Sequence, residues 1–187
     1  VLIEAFDIPA DFVVELIRQI AIAGGEPVVS TYTQPVLRAL YQTATESQMK
    51  FIGQIERARM EGVNLRQANL RQSILTQASL AGADLTKANL EDSNVVGADL
   101  RHAKLTHANL LRVIGDEAAL YNATLSGAQL HDSIFERAHF EGADLSSADF
   151  TNATLVDSYL YGANLQRAVL TGADLMGADL RRADMSK

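Results

Sequence analysis

From Met60 to Met185 every fifth residue is Leu, Phe, Met or Val, with Gly115 the one exception among 26 positions. Two residues earlier, from Ala58 to Ala183, Ala holds 20 of the 26 equivalent places, and Val63, Ser73, Ser93, Val113, Ser133 and Ser158 are the departures. Clean copies read Ala83-Asp84-Leu85, Ala88-Asn89-Leu90 and Ala173-Asp174-Leu175. A period this strict constrains the backbone before any local propensity does. On an α-helix five residues advance about 500°, so the Leu positions would drift round every face and leave no stripe to bury. An uninterrupted strand fails differently, because five is odd and the side-chain parity flips at each repeat. The pattern is satisfied by a chain that runs two or three extended residues, bends, and begins again. Ala and Leu of each pentad then point inward and the other three residues outward. The high Ala content favours helix on propensity alone, but the geometry overrules it.

Bending in one sense every five residues closes the chain into a coil. The irregular pentads Ser73-Ile74-Leu75, Ser93-Asn94-Val95, Val113-Ile114-Gly115 and Ser133-Ile134-Phe135 lie 20 residues apart. Deviations that stack in register imply four pentads per turn and a square cross-section. Twenty-six pentads then make about six and a half coils, roughly 30 Å long at a strand spacing of about 4.8 Å.

This A-(D/N)-L-x-x grammar resembles the pentapeptide-repeat family, and the resemblance covers residues 58–187. It implies a mainly β fold, a right-handed quadrilateral β-helix, with the Asn or Asp before each Leu on the outside near the bend. The parity argument predicts the coil but not its hand.

Residues 1–57 follow another grammar and are expected to form a small α/β segment capping the solenoid. Val1 to Phe6 reads as a strand, and Asp7-Ile8-Pro9 as a helix start. Phe12, Val13, Leu16, Ile17 and Ile20 share one helical face, and Gly24-Gly25 stops it. Pro27 to Tyr32 reads as a second strand and Pro35 to Tyr41 as a short helix. Thr45-Glu46-Ser47-Gln48 is a capping box opening a last helix, with Met49, Ile52 and Ile55 inward. That helix runs into the first pentad and is expected to plug the solenoid. Val1-Leu2-Ile3-Glu4-Ala5-Phe6-Asp7-Ile8-Pro9 and Gly24-Gly25-Glu26-Pro27-Val28-Val29 are also similar to part of the thermophilic metalloaminopeptidase family. The metal ligands of that family belong to a later catalytic domain with no counterpart here, so no catalytic residue is carried over.

Composition narrows the chemistry. There is no Cys, which removes disulfides and thiolate metal sites and leaves the redox compartment open. The formal net charge of −7 argues against direct nucleic-acid binding, which needs a basic footprint. No run approaches the ~20 apolar residues of a membrane span. No charged leader precedes an apolar stretch at Val1-Leu2-Ile3-Glu4, and the expectation is a cytoplasmic protein, a removed targeting segment being the alternative. His102, His107, His131 and His139 fall on different sides or levels of a 20-residue coil, so no metal site is expected. Asp84, Asp99, Asp144, Asp149, Asp174, Asp179 and Asp184 occupy the outward consensus slot, where local bonding at the bend accounts for them. A convex wall offers no cleft to separate their pKa values, and neither a phosphate loop nor a nucleophile elbow is present. No catalytic residue, cofactor or enzymatic activity is expected.

Three surface features remain. Ile74, Asn94, Ile114 and Ile134 fill outward slots of one side, with Val96 and Val156 beside them, and a strip of this kind marks an interface. The chain's own N-terminal segment is an alternative cover for it. The break at Val113-Ile114-Gly115-Asp116-Glu117 reads either as a local kink, with Val and Gly offsetting in volume, or as a bulge that turns Ile114 inward. Tyr121 and Tyr161 hold equivalent slots two coils apart, with Tyr159 and His139 on the same side, a second candidate surface. The repeat also runs in register through Leu180 and Met185, and the resemblance implies that two C-terminal ends can abut in a homodimer.

Two functions are weighed. The first is a non-enzymatic scaffold that presents a flat wall to another protein. The second, implied by the resemblance, is a DNA-mimicking inhibitor of a type II topoisomerase such as gyrase. Mimicry needs a strongly negative rod, whereas residues 58–187 hold 16 acidic and 12 basic side chains, with Arg66, Arg101, Arg137 and Arg167 among the interruptions. The scaffold ranks first.

Overall fold

The computed structural model describes residues 61–186 and two short strands, β1 (Leu2–Glu4) and β2 (Val28–Thr31). β1 and β2 pair in parallel, with Leu2 opposite Val28 and an irregularity between Ile3 and Glu4. Both fall inside the segments expected to be strands. The helices, cap and plug expected between and after them lie outside the described residues, as does the boundary at residue 57.

Residues 61–186 wind into a coil whose rungs join residue i to residue i + 20 in parallel, as in Asn64–Asp84–Lys104–Thr124–Asp144–Asn164–Asp184. Four such ladders run along four walls. The first wall is centred on Leu65 and every twentieth residue after it, the second on Leu70, the third on Leu75 and the fourth on Leu80. First and third walls face each other across the axis, and each pentad supplies one wall and the corner after it.

The corners explain how an L-chain bends every five residues. At each one the Ala N–H donates to the preceding Leu carbonyl three residues back, as Ala68 to Leu65 at 3.0 Å, closing a β-turn. Its third residue has positive φ, from Gly62 (63°) to Arg182 (59°), the arrangement of a type II turn. Seventeen of these corner residues are not glycine, and each carries a conformational cost of about 1–2 kcal/mol. Inter-coil bonds offset it. The Leu N–H reaches up to the next coil (Leu85 to the Lys104 carbonyl, 2.7 Å), and the residue before Leu reaches down (Asp84 to the Val63 carbonyl, 2.8 Å).

Inward Leu and Ala form one axial core, with Leu70, Leu80, Leu85 and Leu90 fully buried. Burying each such Leu contributes roughly 1.5–3 kcal/mol. Phe135, Phe140 and Phe150 are its largest members and pack edge to face, with ring centroids 5.5 and 6.3 Å apart. The break at Gly115 is neither kink nor bulge. Gly115 keeps its bond to the Ile134 carbonyl at 2.7 Å, the rung Ile114–Ile134 is intact, and Ile114 points outward. A Cβ built on Gly115 would stand 2.1 Å from Phe135 Cε1, so the ring one coil above fills the place.

Candidate functional site

Outward slots are where the walls diverge. At the position before Leu, an Asn or Asp Oδ1 accepts the N–H two residues on, at 3.0–3.3 Å, and ties down the turn. The first wall makes this bond at five of its seven rungs and the second at four of six. The third makes it at only two of six, through Asn94 and Asp174, and the fourth at two of six, through Asp99 and Asp179. The third and fourth walls adjoin.

On the third wall Ile74, Ile114 and Ile134 take those slots and stand 40%, 40% and 37% exposed. Asn94 interrupts them. Its Oδ1 accepts from Val96 N–H and the Thr76 hydroxyl, so only Ile114 and Ile134 are on neighbouring rungs. Val96 and Val156 are half-buried in the next column, three coils apart, with Asp116 and Glu136 between them. Asp116 Oδ1 accepts the Glu136 N–H of the coil above at 3.0 Å, serving the donor that Ile134 cannot. Arg137 pairs with Glu117 and Glu136 at 3.3 and 3.4 Å. Met176, at 69% exposure, extends the column of Val156 and was not among the residues expected on this strip.

On the fourth wall Tyr121, His139 and Tyr159 stack along the axis, with ring centroids 4.9 and 4.5 Å apart. The Tyr121 hydroxyl lies 2.7 Å from His139 Nδ1, and Glu141 Oε1 lies 3.2 Å from the same nitrogen. The other oxygen of Glu141 is buried without a partner among the described residues. Burial first, and the Glu141 charge second, push the Tyr121 phenol up. Tyr161 stands apart from the stack, with the Arg182 guanidinium 5.4 Å above its ring. The wall's carboxylates are held by arginine. Two side-chain bonds from Arg181 at 2.8 Å, helped by its backbone N–H, bring Asp179 down to about 2.

A profile of the family described as pentapeptide repeats (8 copies) matches residues 55–92, 93–132, 123–160 and 155–187. The chain is a pentapeptide-repeat protein. Among solved structures, HetL from the cyanobacterium Nostoc sp. strain PCC 7120, a pentapeptide repeat protein involved in heterocyst differentiation regulation, is 27% identical. The match covers 68% of this chain and 76% of HetL, with a TM-score of 0.34. Full-length QnrB1, a plasmid-mediated fluoroquinolone resistance protein, is 16% identical over 70% of this chain and 76% of its own, at a TM-score of 0.36. A pentapeptide repeat protein of the Arabidopsis thaliana thylakoid lumen is 18% identical over 81% of this chain and 72% of its own, at 0.28. None of the curated protein sequences compared matches the chain.

Within this pentapeptide-repeat chain, no group of three His, Asp or Glu side chains gathers among the described residues in a way that could hold a metal ion. No helix among them is long and apolar enough to cross a membrane. The four histidines are dispersed. His107 Nδ1 sits 3.4 Å from the Gly127 carbonyl, and His131 pairs with Asp149 at 3.2 Å. In the last described coil Leu170, Leu175 and Leu180 are half-buried and Met185 is 53% exposed, whereas their counterparts Leu110, Leu120 and Leu125 are closed off.

Proposed function

We propose that this chain is a non-enzymatic protein-binding scaffold that presents the adjoining third and fourth walls to a partner protein. One observation carries the reading: on these two walls the turn-tying Asn or Asp is largely replaced by Ile, His, Tyr or a small residue. An exposed Ile at that slot leaves the turn donor without its neighbouring acceptor, a loss of about 0.5–1.5 kcal/mol wherever no other group reaches it as Asp116 reaches the Glu136 N–H. The fold has no use for the exchange at so many rungs, since the first and second walls wind equally well with it at only two rungs each, Lys104 and Thr124 on one and Gln129 and Val169 on the other. A contact surface does.

The charge layout favours this reading over a duplex mimic. The third wall carries Asp116, Glu117, Glu136, Asp157 and Asp174 against Arg137 alone, but the opposite wall carries Asp84, Asp144 and Asp184 against Arg66, Lys87, Lys104 and Arg167. A rod acidic on one wall and close to neutral on the opposite one is a poor copy of a polyanion. For a chain ending at Lys187, the apolar coil of Leu180 and Met185 supports a second proposed contact, end-to-end pairing of two copies. Light scattering on Met185→Lys tests it, with a fall to monomer mass expected and an unchanged mass contradicting it.

A photoreactive residue placed in turn at Thr106, Thr151, Ile134 and Tyr161 samples the four walls in the native host. Protein adducts at Ile134 or Tyr161, and none at Thr106 or Thr151, are expected. No adduct at any wall, or equal adducts at all four, would overturn the scaffold reading.

A further inference from the structure

We propose that the third wall docks a cationic, amphipathic segment of its partner, with Ile114 and Ile134 as the apolar floor and Asp116, Glu117 and Glu136 as the charged flank. This deepens the scaffold reading and rests on it. Ile114 and Ile134 occupy neighbouring rungs, so their side chains form one patch about 4.8 Å in repeat, with Val156 and Met176 continuing in the adjacent column. Around this patch the wall is acidic. Arg137 is its single basic side chain, and it is already engaged by Glu117 and Glu136.

Asp116 makes the case sharper. Its Oδ1 supplies the acceptor that Ile134 removed, by reaching one coil up to the Glu136 N–H, while its second oxygen has no recorded partner among the described residues. The acidic group therefore compensates for the apolar one locally and remains available to an incoming cation. An apolar floor with a rim of three carboxylates against one arginine favours lysine or arginine side chains whose aliphatic stems lie on Ile and whose charged ends reach the rim. The chain's own first 60 residues are a poorer match for the same wall. They hold seven carboxylates and five basic side chains, the same sign as the surface they would cover.

The test uses the full chain and a fluorescein-labelled twelve-residue peptide alternating Lys with Leu or Val, followed by fluorescence anisotropy. Its controls replace Lys by Glu in one peptide and Leu and Val by Ser in another. The lysine–apolar peptide should bind, more weakly as salt rises, and the glutamate peptide should not. The double variant Ile114→Thr, Ile134→Thr removes the floor but keeps branched side chains, and should weaken binding roughly tenfold. The double variant Asp116→Asn, Glu136→Gln keeps the Oδ1 acceptor and should weaken binding and flatten its salt dependence. Circular dichroism confirms that each variant is folded, and either variant alone suffices for the test. No binding by the wild type, equal binding of the glutamate peptide, or wild-type affinity in both variants would overturn the proposal. Photocrosslinks through Tyr161 but not Ile134 would overturn it too, while leaving the scaffold reading intact.

Discussion

The first and third walls face each other across the same axis, end in the same kind of corner turn and stack in the same register, yet they differ inside and out. The first is Ala and Leu within, apart from Val63 and Met185, and Asn, Asp, Thr and Lys at the slots without. The third has Ser73, Ser93, Ser133, Val113 and Gly115 within, and three isoleucines without. Because the turns and inter-coil bonds belong to the backbone, a wall tolerates either set. The interior departures are answered by packing partners, as Gly115 is by Phe135. The exterior ones are only partly answered, and that residue of unmet bonding is where binding is inferred.

The largest effect is expected where the third wall is forced to look like the first. Gly115→Leu restores the repeat but drives a side chain into the Phe135 ring, and should destabilise by about 3 kcal/mol in urea denaturation. Adding Phe135→Leu should bring stability back to within about 1 kcal/mol of the wild type, a coupling a simple sum of single effects would not give. If Gly115→Leu is neutral, the proposed complementarity is wrong.

The reverse exchange, making the first wall look like the third, is smaller. Asn164→Ile removes the acceptor of the Gln166 N–H and a 3.1 Å bond to Asp144, and should lose about 1 kcal/mol. Inside the third wall, Ser73 donates to the Leu70 carbonyl at 2.7 Å whereas Ser93 Oγ is buried with no partner among the described residues. Ser93→Ala should therefore stabilise by up to about 1 kcal/mol and Ser73→Ala should not. A thermal melt of the two variants separates them.

Acid should produce the smallest change. On the first wall, burial raises Asp84, but bonds from Thr86 and Arg66 outweigh it and hold the carboxyl below its ordinary value of 3.8. The Ser186 backbone and Gln166 side chain lower Asp184. A carboxylate lowered on folding adds stability that is fully present above its unfolded value and fades as pH falls through its folded one. Stability should thus decline only below about pH 4. Asp84→Asn should flatten that decline, and an unchanged slope in acid denaturation would contradict the assignment.

Much of the fold was legible because it is dictated by period. The inward places of Ala and Leu, the outward place of Asn and Asp, and the stacking of irregular pentads all follow from repeat phase. The positive φ at each corner was not legible. Gln67, Lys87 and Arg137 have no backbone preference that announces it, and only the turn they close requires it. The Gly115–Phe135 pairing was missed because repeat phase stacks the two pentads without showing that the ring of one occupies the space left by the other. At the surface, the columns could be drawn from residue number alone, which grouped the isoleucines and placed the tyrosines on one side. Residue number put Asn94 within the strip but could not reveal that its Oδ1 turns to Val96 and Thr76, or that His139 stacks between Tyr121 and Tyr159, since those depend on side-chain direction. Asp116 reaching up a coil was beyond any single-pentad reading.

The most direct test is the folding free energy of Ile114→Asn, Ile134→Asn measured by urea denaturation. If these isoleucines serve contact and not the coil, returning the turn acceptors should raise stability by about 1 kcal/mol, chiefly through Ile114, because the Glu136 N–H beyond Ile134 already bonds Asp116. A clear loss would show that the strip is part of what holds the solenoid together, and the case for a docking wall would go with it.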